Sequence, residues 1–106
     1  MNDHVLKKGP VVTQADIDKA VSAQYTVTAW DALGPGVSRD EELQRLTLAV
    51  LVLRNGFIVT GESACADLRN FDAALGARLA IENAKAKIWP LLGFELKNLL
   101  MLRAAQ

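Results

Sequence analysis

Leu46-Thr-Leu-Ala-Val-Leu-Val-Leu-Arg-Asn-Gly-Phe-Ile-Val-Thr-Gly-Glu-Ser63 is the stretch that decides how this chain folds. Leu46 to Leu53 is apolar apart from Thr47, and its length suits a strand, although a buried helix has the same composition. Asn55-Gly56 settles the choice. Both central positions of a type I′ turn need positive φ, which Asn and Gly tolerate best, so the pair predicts an antiparallel β-hairpin over about 46–63. A two-residue turn would pair Arg54 with Phe57, Val52 with Val59, Val50 with Gly61 and Leu48 with Ser63 on one face. Leu53 with Ile58, Leu51 with Thr60 and Ala49 with Glu62 would share the other. Both faces of the first strand are apolar, so both need cover. A lone hairpin is only marginally stable, so a further strand or chain is expected at its edges.

C-terminal to the hairpin, Asn70 reads as an N-cap with Asp72 in the first turn, opening a long helix over about 70–89 that Pro90 ends. Gly76, Ala80 and Ala84 recur every four residues along it. This small-residue ridge lets the helix backbone approach a neighbour closely. Gly61 removes a side chain from the strand face, which places the ridge there with Val50, Val52 and Val59, flanked by Phe71, Leu75, Leu79 and Ile88. Leu91, Phe94, Leu96, Leu99, Leu100 and Leu102 then predict a C-terminal helix over about 91–103, interrupted by Gly93. It is too apolar to stand exposed, and either folds over the open hairpin face or meets another copy.

Toward the N-terminus, Thr13 and Asp16 form a capping-box pattern before Ile17, Ala20 and Val21, predicting a short helix from about Gln14 to Ala23. Residues 1–12 read as a flexible arm and 13–106 as a single small domain. Tyr25-Thr-Val-Thr28 favours an extended segment, while Ala29 to Leu33 suits a helix as well. Gly34-Pro-Gly36 breaks regular structure, and the loop through Glu42 is the one most open to movement. The fold class is therefore α+β.

The chain has 106 residues, of which 51% are hydrophobic, so apolar surface is left over for a partner in a domain this small. Lys plus Arg equals Asp plus Glu at 12 each, which removes the broad positive field of a nucleic-acid binder. Cys65 is alone, so no internal disulfide forms and a reducing compartment fits. No run approaches the roughly 20 apolar residues of a membrane span, and the N-terminus lacks a signal-peptide core.

Chemistry is sparse. Gly61-Glu-Ser-Ala-Cys-Ala-Asp67 gathers a hydroxyl, a thiol and two carboxylates, but a serine elbow needs Gly where Cys65 stands. A base is also required, and the one histidine, His4, lies in the arm. One Cys and one His do not make a structural zinc site, Gly34-Pro-Gly36 is not a phosphate loop, and no cofactor is implied. Arg78, Glu82 and Lys85 follow helical spacing as a charged ladder. Together with Glu62 and Ser63 they are the candidate ligand or partner contacts, the plainer reading being a solvated face. Trp30 and Trp89 read as core or interface aromatics.

The run from Leu53 to Asp67, then Asn70-Phe-Asp72, Ile81-Glu-Asn-Ala-Lys-Ala-Lys-Ile-Trp-Pro90 and Gly93-Phe94, resembles a family of small tailed-phage proteins, the phage gene-product-49/66 family. The resemblance covers about Leu46 to Leu96, leaving Tyr25 to Glu42 outside it. It implies a phage or prophage origin and work in the host cytoplasm, and it transfers no catalytic or binding residue. The expectation is a non-enzymatic accessory protein that binds a host protein, as a homo-oligomer. The alternative is a protein that sequesters a small nucleotide-like signal at a subunit interface.

Overall fold

The computed structural model describes residues 9–105. Along these, α1 (Gln14–Ala20) leads into β1 (Val21–Thr28) and the short α2 (Ala29–Leu33), and a 3-10 turn (Glu41–Arg45) precedes β2 (Leu46–Leu53). The hairpin closes with β3 (Ile58–Ala64), followed by a second 3-10 turn (Leu68–Asn70), α3 (Ala73–Ala86) and α4 (Ile88–Ala104). The three strands form an antiparallel sheet in the order β1-β2-β3, and α3 lies across β2 and β3. The fold is α+β, as the sequence pattern indicates.

Local chemistry explains the boundaries. The Thr13 hydroxyl accepts from the Asp16 N–H while the Asp16 carboxylate accepts from the Thr13 N–H, a complete capping box. α1 ends at Ala20, three residues earlier than its pattern suggested, because Val21 is already extended and begins a strand. That strand supplies the neighbour β2 needed. A bulge between Val21 and Ala23 leaves Ser22 unpaired, and its hydroxyl donates to the Val52 carbonyl at 3.0 Å. α2 covers Ala29 to Leu33, which suited a helix; the segment read as a mobile loop follows it and runs into the first 3-10 turn at Glu41, and within it Arg39 lies over the Trp30 ring at 3.7 Å while donating to the Trp30 carbonyl.

The hairpin register differs by one residue from that of a two-residue turn. Val52 pairs with Ile58, Leu51 with Val59, Val50 with Thr60 and Ala49 with Gly61. The cause is at the turn, where Gly56 N–H donates to Leu53 and Leu53 N–H to Phe57, closing a three-residue loop. Gly56 takes a φ of 88° and Asn55 does not take positive φ. This is a type I turn followed by a glycine bulge, and the Asn55 side chain accepts from Phe57 N–H. A one-residue slip exchanges the faces. Thr47, Ala49, Leu51, Leu53, Val59 and Gly61 therefore face the helices, while Val50 and Val52 lie on the other side.

The small-residue ridge does meet Gly61, on this corrected face. A Cβ at Gly61 would strike the backbone of Ala80 and Ala84, and one at Gly76 would stand 2.8 Å from Thr47 Oγ1. Ala80, Ala84, Ala49, Leu51, Ile17 and Ile88 are fully buried, with Leu53 and Val59 nearly so. Leu75 and Leu79 remain more than a third exposed, so they rim this contact and do not seal it.

Two helix ends also move. Asp72, not Asn70, caps α3 by accepting from Leu75 N–H, because Phe71 is extended and Asn70 closes the 3-10 turn. The break before α4 falls at Lys87, ahead of Pro90. Pro90 has no N–H to donate to Ala86, so the first helix cannot run through it; within the first turn of α4 that missing donor costs nothing.

Candidate binding surfaces

Among the described residues only three large side chains, Ile17, Leu51 and Ile88, are fully buried, and four of the nine apolar core positions are alanines. Much of the remaining bulk points outward, and two places gather it into continuous surfaces. The first is the sheet face opposite α3. Register and alternation place Ala23, Tyr25 and Val27 of β1, Leu46, Leu48, Val50 and Val52 of β2, and Ile58, Thr60 and Glu62 of β3 on it. Tyr25 is 62% exposed and Ile58 56%. Monomeric proteins rarely leave a contiguous apolar surface of this kind without using it.

The second is α4. Its inner row, Leu92, Leu96 and Leu100, is half-buried, and Leu92 packs on the core while the helix lies against α1 and α3. It does not fold over the open sheet face. Leu91, Phe94, Leu99, Met101 and Leu102 are exposed, Phe94 at 70%. No helix among the described residues is long and apolar enough to cross a membrane.

The five residues singled out from sequence do not converge. Glu62 lies on the open face, and its carbonyl accepts from the Asn83 side chain at 2.8 Å. Ser63 turns to the helix side. Lys85 donates to Asp18 of α1 at 2.9 Å, which holds the Asp18 carboxyl below the usual carboxylate range, helped by the Gln14 side chain. Arg78 and Glu82 are exposed and enter no ion pair among the described residues. The ladder is thus split, with one rung tying α3 to α1.

Ser63 instead borders a cavity of about 240 Å³ at the end of β2 and β3, with Arg45, Thr47, Cys65, Phe71, Asp72 and Leu79 among its walls. Arg45 donates through Nε to Glu42 at 2.6 Å and through Nη1 to the Cys65 carbonyl at 2.7 Å, and the Glu42 contact raises its pKa. Thr47 Oγ1 is buried with no hydrogen-bond partner among the described residues. The Cys65 thiol is half-buried and donates to the Asp67 carbonyl at 3.4 Å. Arg69 clasps the Asp67 carboxylate, which its side chain and then its backbone N–H hold below the normal range. His4 lies outside the described residues, and no cluster of three or more His, Cys, Asp or Glu among those described could hold a metal ion.

The open face was not legible as a unit in the sequence, because the one-residue slip exchanges it with the buried one. Ala23, Tyr25 and Val27 alternating with Ser22, Gln24 and Thr26 was the available signal, a period of two that marks a strand with one apolar face.

No curated protein and no solved structure matches the chain. A family match does, and it spans residues 12–100, so that Tyr25 to Glu42, which the motif blocks left out, falls within it. With most of its length matched, the chain belongs to the phage protein family of N4 Gp49 and phage Sf6 gene 66.

Proposed function

We propose that this phage protein is a non-enzymatic accessory protein that self-associates and binds a host protein in the cytoplasm of the infected bacterium. The observation that supports this reading is the apolar sheet face bearing Tyr25, Val27 and Ile58, which no helix among the described residues covers. Burying each large side chain there would contribute about 1.5–3 kcal/mol if complete, enough in sum for a stable complex. Thr60 and Glu62 supply a polar rim along β3, as protein interfaces usually have. Light scattering together with affinity capture from infected cells tests it. A strict monomer from which no host protein is recovered contradicts the proposal.

A second reading is sequestration of a small nucleotide-like signal, and the cavity beside Phe71 and Ser63 favours it. Its walls are mainly apolar with a few hydroxyl and amide groups, the usual make-up of a ligand pocket. Calorimetry against cyclic nucleotides separates the readings, since a uniformly flat screen counts against sequestration. An enzyme using Ser63 or Cys65 belongs to a third class, which full activity in a Ser63→Ala, Cys65→Ala double variant would eliminate.

A further inference from the structure

α4 carries two apolar rows on opposite sides. At 100° per residue, Leu92, Leu96 and Leu100 point inward to the body of the same chain. The other row is Leu91, Phe94, Asn98, Met101 and Ala105, with Leu102 beside it, and all six are exposed. Its spacing alternates three and four residues, which is the a/d pattern of a helix that packs along another helix. Asn98 stands at an a position, seven residues from Leu91 and seven from Ala105.

We propose that this outer row is the self-association surface, and that its occupant is α4 of a second copy, packed antiparallel about a two-fold axis at Asn98. This deepens the self-association part of the function proposed above and rests on it. The axis sets Leu91 against Ala105, Phe94 against Leu102 and Met101 against the aliphatic stem of Glu95, whose carboxylate stays at the rim. Asn98 meets Asn98, and an amide is its own complement because its oxygen accepts what the other's NH₂ donates. A single buried Asn at an a position fixes register and partner number at some cost in affinity. Glu95 and Lys97 flank the row and keep its rim polar.

The area is sufficient and modest. Phe94, Met101 and Leu102 are more than half exposed, and burying the whole row removes on the order of 500 Å² per copy, or about 1,000 Å² in total, the lower bound for a specific interface. The dimer is therefore concentration-dependent, and the open sheet face stays free for a different molecule.

Sedimentation velocity of the full chain from about 1 to about 500 µM tests the proposal. The wild type is expected to pass from monomer to dimer, and Phe94→Asp to weaken the dimer at least tenfold. Asn98→Leu, which is solvent-exposed in the monomer and spares its core, should alter the oligomer number. In a Cys65→Ser background, oxidised Asn98→Cys should form a covalent dimer, and Leu91→Cys should link only when mixed with Ala105→Cys. A dimer that Phe94→Asp leaves intact but Tyr25→Asp with Ile58→Asp abolishes would overturn the α4 interface while preserving self-association. A wild-type monomer at every concentration would overturn both.

Discussion

Gly61→Ala should be among the most damaging conservative substitutions in this chain. The added Cβ would stand 2.9 Å from Ala84 Cα and closer still to the Ala80 carbonyl oxygen and the Ala84 N–H. All three are backbone atoms of α3, so no side chain can rotate away. α3 must instead lift from the sheet, which loosens Leu51, Val59 and Ile88 beneath it. Overpacking usually costs about 1–3 kcal/mol, and a clash that only a whole-helix shift relieves belongs at about 3. For a domain near 100 residues, each kcal/mol lowers Tm by about 4–8 °C, so the expected drop is about 12–24 °C. Thermal melts followed by circular dichroism, at a concentration where the wild type and variant share one oligomeric state, give the answer. A Tm within about 2 °C of wild type would refute the close helix-on-glycine contact.

Four other outcomes follow from the same contacts. Gly93→Ala, in α4 with nothing within 4 Å of the new Cβ, should raise stability by about 0.5–1 kcal/mol in urea unfolding, the opposite sign to Gly61→Ala. Gly56→Ala should cost about 1–2 kcal/mol in the same assay, because the three-residue loop holds this position at a φ of 88°. Thr47→Val keeps the shape and removes a buried hydroxyl without a partner, so Tm should rise, by about 1 kcal/mol in equivalent free energy. The carboxyls of Asp16, Asp18 and Asp67 are all held below their ordinary range by hydrogen bonds. Depressed carboxyl pKa values contribute stability that is full above the unfolded value, about 3.9, and fades as pH falls through the lower folded values. Melts across that acid range should show a shallower decline for an Asp18→Asn, Asp67→Asn double variant than for wild type, and parallel curves would contradict the pairing.

The order of elements was legible because strong local signals, namely the Thr13 capping box, the Asn55-Gly56 turn and Pro90, agree with the global fold. The register was not. Asn-Gly serves both a two-residue turn and the last two positions of a three-residue loop, and only the neighbouring hydrogen bonds of Leu53 distinguish them. Because both faces of β2 are apolar, the hydrophobic pattern could not correct the slip. Gly61 still identified the helix contact, since its lack of a side chain matters whichever face it occupies. The candidate site residues chosen by helical spacing are dispersed for another reason: Lys85 finds its partner in α1, a contact between residues 67 positions apart that spacing within one helix does not reveal.

The sheet face bearing Tyr25 and Ile58 is proposed to receive another molecule. In-cell photo-crosslinking during infection tests it most directly, with a photoreactive residue placed in turn at Tyr25, Ile58 and the exposed Glu82 on α3. One shared host-protein adduct is expected from the two sheet positions and none from Glu82. No adduct from the sheet positions, or equal labelling from all three, would contradict it.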